Sequence, residues 1–136
     1  MGAIIHKGER FLIDTHVLLW WLFNDQRLSE RARQIISNEN NAILVSSVSA
    51  WEISTKFRLG KLSGTESLVK GLPELLRKAR MELLSINLQH ALLAGSLAND
   101  HRDPFDRMLA AQTIIENVYL ITSDKAFGGF SLKIIW

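Results

Sequence analysis

Apolar and polar positions divide the chain into two alternating kinds of segment. Short apolar runs at Arg10 to Ile13, Ala42 to Val45, Leu83 to Ile86, Tyr119 to Ile121 and Leu132 to Ile135 have the length of buried strands, the last of them a short edge strand. Longer stretches with helical spacing lie between them: His16 to Phe23, Ser29 to Ser37, about Ser49 to Leu59, Glu66 to Arg80, Leu88 to Ala98 and Pro104 to Glu116. The punctuation agrees. Ser29 is placed to cap the second helix, and the polar run Asn38-Glu39-Asn40-Asn41 ends it. Gly60 closes the third helix as a C-terminal cap, residues 61–65 read as a loop, and Gly71 with Pro73 predicts a break or kink in the fourth helix. Strands separated by helices in this order imply βα units, hence an α/β fold with a parallel sheet and helices on both faces. Residues 1–9 have no period and are set apart as an N-terminal tail, which leaves 10–136 as a single domain.

Composition narrows the chemistry. Cysteine is absent, so disulfide scaffolds, zinc thiolate sites and cysteine nucleophiles are excluded, and a reducing, cytoplasmic setting is expected. No apolar run reaches the ~18 residues of a membrane span, so no membrane partner is expected. The formal net charge of +2 says little alone. It says more if several of the fourteen acidic residues are gathered in one place, because the remaining surface is then distinctly basic, as suits a nucleic-acid binder. Neither GxGxxG nor GxxxxGK[ST] occurs, which argues against a dinucleotide enzyme or an NTPase. A phosphatase with an aspartyl nucleophile would carry a second aspartate two residues after the first, but position 16 is His16.

Four acids sit beside the predicted strands. Asp14 follows the first strand, Glu52 the second by a few residues and Asp124 the fourth, while Asp106 opens the helix leading into the fourth. Each has a local explanation. Asp14 and Asp124 can cap turns, Ser49-Ala50-Trp51-Glu52 fits a capping box, Asp103-Pro104 fits an N-cap with proline at the first helical position, and Asp106 suits a first helical turn. Topology favours a shared role, because all four fall on the rim at the strands' C-terminal ends, where open α/β folds bind ligands. Two unit charges ~4 Å apart repel by roughly 4 kcal/mol at an effective dielectric of 20. A cluster of carboxylates is therefore usually organised by a divalent cation, and hard oxygen donors suit Mg2+ or Mn2+. The matching chemistry is phosphodiester hydrolysis.

These same residues carry a resemblance. Leu12-Ile13-Asp14-Thr15-His16, Ser49-Ala50-Trp51-Glu52-Ile53, Asp103-Pro104-Phe105-Asp106-Arg107 with Leu109-Ala110-Ala111-Gln112, and Leu120-Ile121-Thr122-Ser123-Asp124 occur in order across residues 10–127. In this the chain resembles the PIN domains, and among them the VapC-type toxin ribonucleases of type II toxin–antitoxin systems. The resemblance implies a three-layer α/β/α fold with a mostly parallel sheet of four to five strands. It implies a Mg2+- or Mn2+-dependent endoribonuclease acting on RNA, a cognate antitoxin that blocks the site, and a homodimer. By the family pattern Asp14, Glu52, Asp106 and Asp124 are the catalytic and metal-binding quartet, with Glu52 acting through water or as a base. Thr15, Ser123, Asp103 and Arg107 are accessory candidates. Thr15 and Ser123 would bond the carboxylates or the phosphate, Asp103 is better read as a cap, and Arg107, with Arg102, would grip phosphate or simply end a helix in solvent. The family's usual threonine-arginine-asparagine run near the last strand is replaced by Thr122-Ser123-Asp124, which leaves the role of Ser123 open.

The alternative is a non-cleaving, PIN-like module that binds RNA or protein. His16 and His101, close to the acids in sequence, are read as supporting or surface residues because no second nitrogen ligand stands at metal spacing. Trp20 and Trp21 are neighbours about 100° apart on a helix and cannot both face one core, so one of the aromatics Trp20, Trp21, Phe23 and Trp51 is a candidate for an interface and core packing is the competing reading.

Overall fold

Period-two alternation builds the centre of the molecule. In β1 (Arg10–Ile13) and β2 (Ala42–Ser46), Phe11 and Ile13 pair with Ile43 and Val45 on one face, and Leu12 pairs with Leu44 on the other. The first set joins Val17, Leu18, Leu68, Leu72 and Leu76 in one core, and the second joins Leu109, Ala110, Leu120, Phe127 and Phe130 in another. Because both faces are covered, the strands are continuously apolar rather than alternating with polar residues. The structure is a computed structural model, and it describes residues 8–136 except 63 and 65. The tail expected at 1–9 therefore lies outside the described residues as far as position 7, and so does part of the loop expected at 61–65.

The remaining elements are α1 (Thr15–Leu22), α2 (Glu30–Ser37), α3 (Ser47–Arg58), α4 (Glu66–Lys78), β3 (Glu82–Leu84), α5 (Leu88–Ser96), α6 (Pro104–Glu116), β4 (Tyr119–Ile121), a 3-10 turn at Lys125–Phe130 and β5 (Ile134–Ile135). The five strands run parallel in the order β3-β2-β1-β4-β5, as the α/β/α expectation requires. Ser29 caps α2 by accepting from the Ala32 N–H, and Gly60 follows α3 at φ 72°, a left-handed conformation that favours glycine.

Three local expectations are corrected. Helix α4 runs unbroken through Pro73, because Leu68, Leu72 and Leu76 anchor both halves on the sheet while Pro73 lies on the solvent side. Helix α3 starts at Ser47 with Ser46 as its cap, so Ser49 and Glu52 are buried mid-helix residues and form no capping box. Strands β3 and β5 are shorter than their apolar runs, since an edge strand has only one neighbour to extend it. Among the described residues no helix is long and apolar enough to cross a membrane.

Candidate active site

Register places the first two acids. Strands β1 and β4 are neighbours with Ile13 opposite Ile121, and the Asp14 N–H donates to the Ile121 carbonyl at 3.2 Å. Asp14 and Thr122 thus leave the sheet side by side. The Thr122 hydroxyl donates to Asp14 Oδ2 and accepts from the Asp124 N–H at 3.0 Å. One threonine therefore ties together two acids 110 positions apart in the sequence (124 − 14). The other Asp14 oxygen caps α1, accepting from the Val17 N–H at 2.8 Å. Asp124 caps the 3-10 turn through the Ala126 N–H at 2.9 Å.

Asp106 comes to the same rim on the first turn of α6. Asp103 caps that helix, its Oδ1 accepting from the Phe105 N–H at 2.8 Å and the Asp106 N–H at 3.2 Å. Asp106 Oδ2 is met at 2.8 Å by His101 Nε2. Arg107 does not face outward for a phosphate. Its guanidinium donates to the carbonyls of Ala94, Leu97, Asn99 and His101, so it clamps the segment that carries His101. The expectation of a phosphate grip at Arg107 is corrected on that ground. Arg102 remains exposed.

Burial and neighbouring charge both act on these carboxyls. Burial raises the Asp14 carboxyl above its ordinary range, against the Thr122 and Val17 bonds that lower it, and the charge of Asp124 adds to the rise. Burial likewise pushes Asp106 up to about 6; the His101 bond opposes this, and the charges of Asp103 and Asp124 reinforce it. The charge of Asp124 acts on both.

Glu52 is the exception. It is as buried as Asp14, each being 4 % exposed, but its carboxylate pairs with Lys56 one turn along α3. Thr15 turns away from the acids and donates to Ser49 at 2.9 Å, which joins α1 to α3. Ser123 is exposed. Sequence reasoning missed Thr122 and Lys56 as partners of the acids. The Glu52–Lys56 pair was visible as an i, i+4 spacing, and Thr122 needed the β1–β4 register.

The donor set fits a hard divalent cation in kind, because every candidate ligand is a carboxylate oxygen and the buried Asp14 is bonded by a hydroxyl and an N–H rather than by a basic side chain. The acids do not close into a cage. Among the described residues no three acidic or histidine side chains stand together as metal ligands would. Their partners are separate: Asp14 bonds Thr122, Asp106 bonds His101 and Glu52 pairs with Lys56.

The raised carboxyls set a pH dependence in the metal-free protein. A group whose folded pKa lies above its unfolded value contributes stability below the unfolded value and loses it as pH rises through the folded one. For Asp106 that window runs from 3.8 to about 6, and Asp14 acts in the same direction. Thermal melts in a chelator should therefore show Asp106→Asn gaining on wild type as pH rises through this window. Equal pH profiles for the two proteins would mean that the raised carboxyl is absent.

The sequence pattern of the PIN domain matches residues 11–130. The chain is 29% identical to Ribonuclease VapC22 of Mycobacterium tuberculosis over 119 residues, which is 84% of this chain and 86% of that protein. It is 38% identical to Ribonuclease VapC16 of the same organism over 58 residues, 43% of this chain and 41% of that protein. Among solved structures, VapBC2 from Rickettsia felis bound to a promoter DNA fragment superposes with a TM-score of 0.68 at 18% identity, covering 93% of this chain and 98% of that one, a likeness of fold. Because the PIN-domain pattern spans residues 11–130, nearly the whole chain, and the parallel α/β/α architecture agrees with it, the chain belongs to the PIN-domain family.

Proposed function

We propose that this protein is a divalent-cation-dependent endoribonuclease, the toxin of a toxin–antitoxin pair, which works in the cytoplasm as a homodimer and is restrained by a cognate antitoxin. The observation that carries this reading is the linkage Asp14–Thr122–Asp124 with Asp106 within its field. The relatives named ribonuclease VapC and the fold shared with a VapBC complex support the substrate class and the kind of partner.

Asp14, Asp106 and Asp124 would hold the cation, Mg2+ or Mn2+, with Glu52 reaching it through water. When bound, the cation supplies charge stabilisation for the phosphate and lowers the pKa of an attacking water. The protein's own contribution is positional. Thr122 fixes the rotamer of Asp14 and the backbone of Asp124, while His101, held by Arg107, fixes Asp106. Lys56 can take up the charge of Glu52 or release it as a base beside the substrate. Arg102 and Lys125, both exposed and each next to a site residue, offer cations to the RNA backbone.

Thr122→Val keeps the shape and removes the hydroxyl, which strands an oxygen of the buried Asp14. Cleavage should fall about 10- to 100-fold, the usual cost of losing a group that orients a metal ligand. Thr122→Ser should restore most of it, as read from initial rates on RNA at saturating Mn2+. A wild-type rate for Thr122→Val would remove the threonine from the site.

The acids' separate partners favour one competing reading, a PIN-like module that binds RNA or protein without cutting it. Incubation of excess protein with total RNA and Mn2+ separates the two. Cleavage that a chelator stops supports the nuclease, and intact RNA supports the binding module.

A further inference from the structure

Trp51 is 57% exposed, an unusual position for the largest apolar side chain in a helix that is otherwise well packed. Its ring stands edge-on to Phe105, with centroids 4.7 Å apart and planes at 76°. Trp51 immediately precedes Glu52 on α3, and Phe105 immediately precedes Asp106 on the first turn of α6. The pair thus bridges the two helices at the rim where the acids lie. The Phe105 contact fixes the indole from one side and leaves more than half of Trp51 in solvent.

The rest of the α3 surface indicates what would cover it. Along the helix from Trp51 the next residues on the same side are Ser54, Thr55 and Arg58, with Ser54 and Arg58 exposed. Arg58 lies two turns on, roughly 10 Å away. An interface between copies of this chain would extend the indole into an apolar patch. Along α3 it is continued by hydroxyls and a guanidinium, and the apolar groove of Ala50, Ile53, Leu72, Leu76 and Leu83 that Ser54 also borders does not include Trp51. A flat aromatic surface leading into basic and hydroxyl groups is the arrangement that holds single-stranded nucleic acid, by stacking on bases and pairing with phosphates.

We propose that Trp51, braced by Phe105, is a stacking platform for an unpaired nucleobase next to the acidic site, with Arg58 on the phosphate side of the same strand. This rests on the reading of the site as one that acts on RNA and specifies how the strand is held there. Stacking tolerates any base, so it sets the position of the strand rather than its sequence.

The test is tryptophan fluorescence of the full chain titrated with short oligoadenylate in a chelator, where binding is seen without cutting. The chain has four tryptophans, so Trp51→Phe isolates the signal of this one. Oligoadenylate should quench wild type, and the quench should vanish in Trp51→Phe. Trp51→Ala should weaken binding about 5- to 150-fold, the range for one stacked base, yet bind an abasic oligonucleotide as wild type does. Equal oligoadenylate affinity in Trp51→Ala and wild type would overturn the platform, as would absence of any quench in wild type. A change of oligomeric state in Trp51→Ala with base binding intact would likewise overturn it and make the residue an interface between copies. Failure of the nuclease reading shows separately, as quenching without cleavage when Mn2+ is added.

Discussion

Asp14→Asn is expected to leave a folded protein that cuts RNA on the order of a thousandfold more slowly, because several kcal/mol of cation-derived stabilisation are lost at about 1.4 kcal/mol per tenfold. The substitution separates two jobs of one side chain. As a cap, Asp14 accepts from the Val17 N–H, and asparagine caps a helix about as well. As a buried carboxylate it is strained, since burial has already raised its pKa. Removing the charge should therefore leave metal-free stability at or above that of wild type. The Mg2+ response is the other half of the test. A cation at ~100 times its Kd stabilises by about 2.7 kcal/mol, on the order of 10 °C in Tm for a domain of this size. Wild type should show such a rise and Asp14→Asn should not. A fall in metal-free Tm together with a normal Mg2+ response would mean that Asp14 is a cap and nothing more.

Arg107→Ala is expected to have the largest effect on stability, about 3 kcal/mol and on the order of 10 °C in Tm. Four carbonyls, those of Ala94, Leu97, Asn99 and His101, lose a charged donor at once. A lysine offers donors from a single point and cannot span these four, so Arg107→Lys should recover little. Activity should fall further than stability explains. The clamped segment carries His101, and the His101 ring positions Asp106. Cleavage measured well below the melting transition should still be reduced at least tenfold. A variant that melts like wild type would show that the clamp is unnecessary; one that melts lower but cuts normally would detach His101 from the site.

Particular residues show what the sequence exposes and what it hides. The order of strands and helices was legible because the core strands are short apolar runs and helices such as α2 and α6 carry side-chain caps, at Ser29 and Asp103. The expectation that the acids share one rim followed from parallel topology alone. The hydroxyl that holds them did not. Thr15 and Ser123 adjoin acids in sequence, but Thr15 enters α1 and turns to Ser49 while Ser123 faces solvent. Thr122 sits beside Asp14 only because Ile13 pairs with Ile121, and a register between strands so far apart leaves no local pattern. Arg107 was hidden for another reason, since its partners are carbonyls, which every residue has. Pro73 misled because its missing N–H was weighed without the leucine stripe that carries α4 past it.

The central claim is that three aspartates from separate segments, Asp14, Asp106 and Asp124, serve a single cation. Calorimetric titration of Mn2+ into wild type, the three single Asp→Asn variants and the Asp14/Asp106 double variant tests this directly. Each single variant should bind at least tenfold more weakly, and the double should lose less than the sum of its parts, as residues acting on one ion do. Mn2+ bound with wild-type affinity by all three single variants would contradict the shared site.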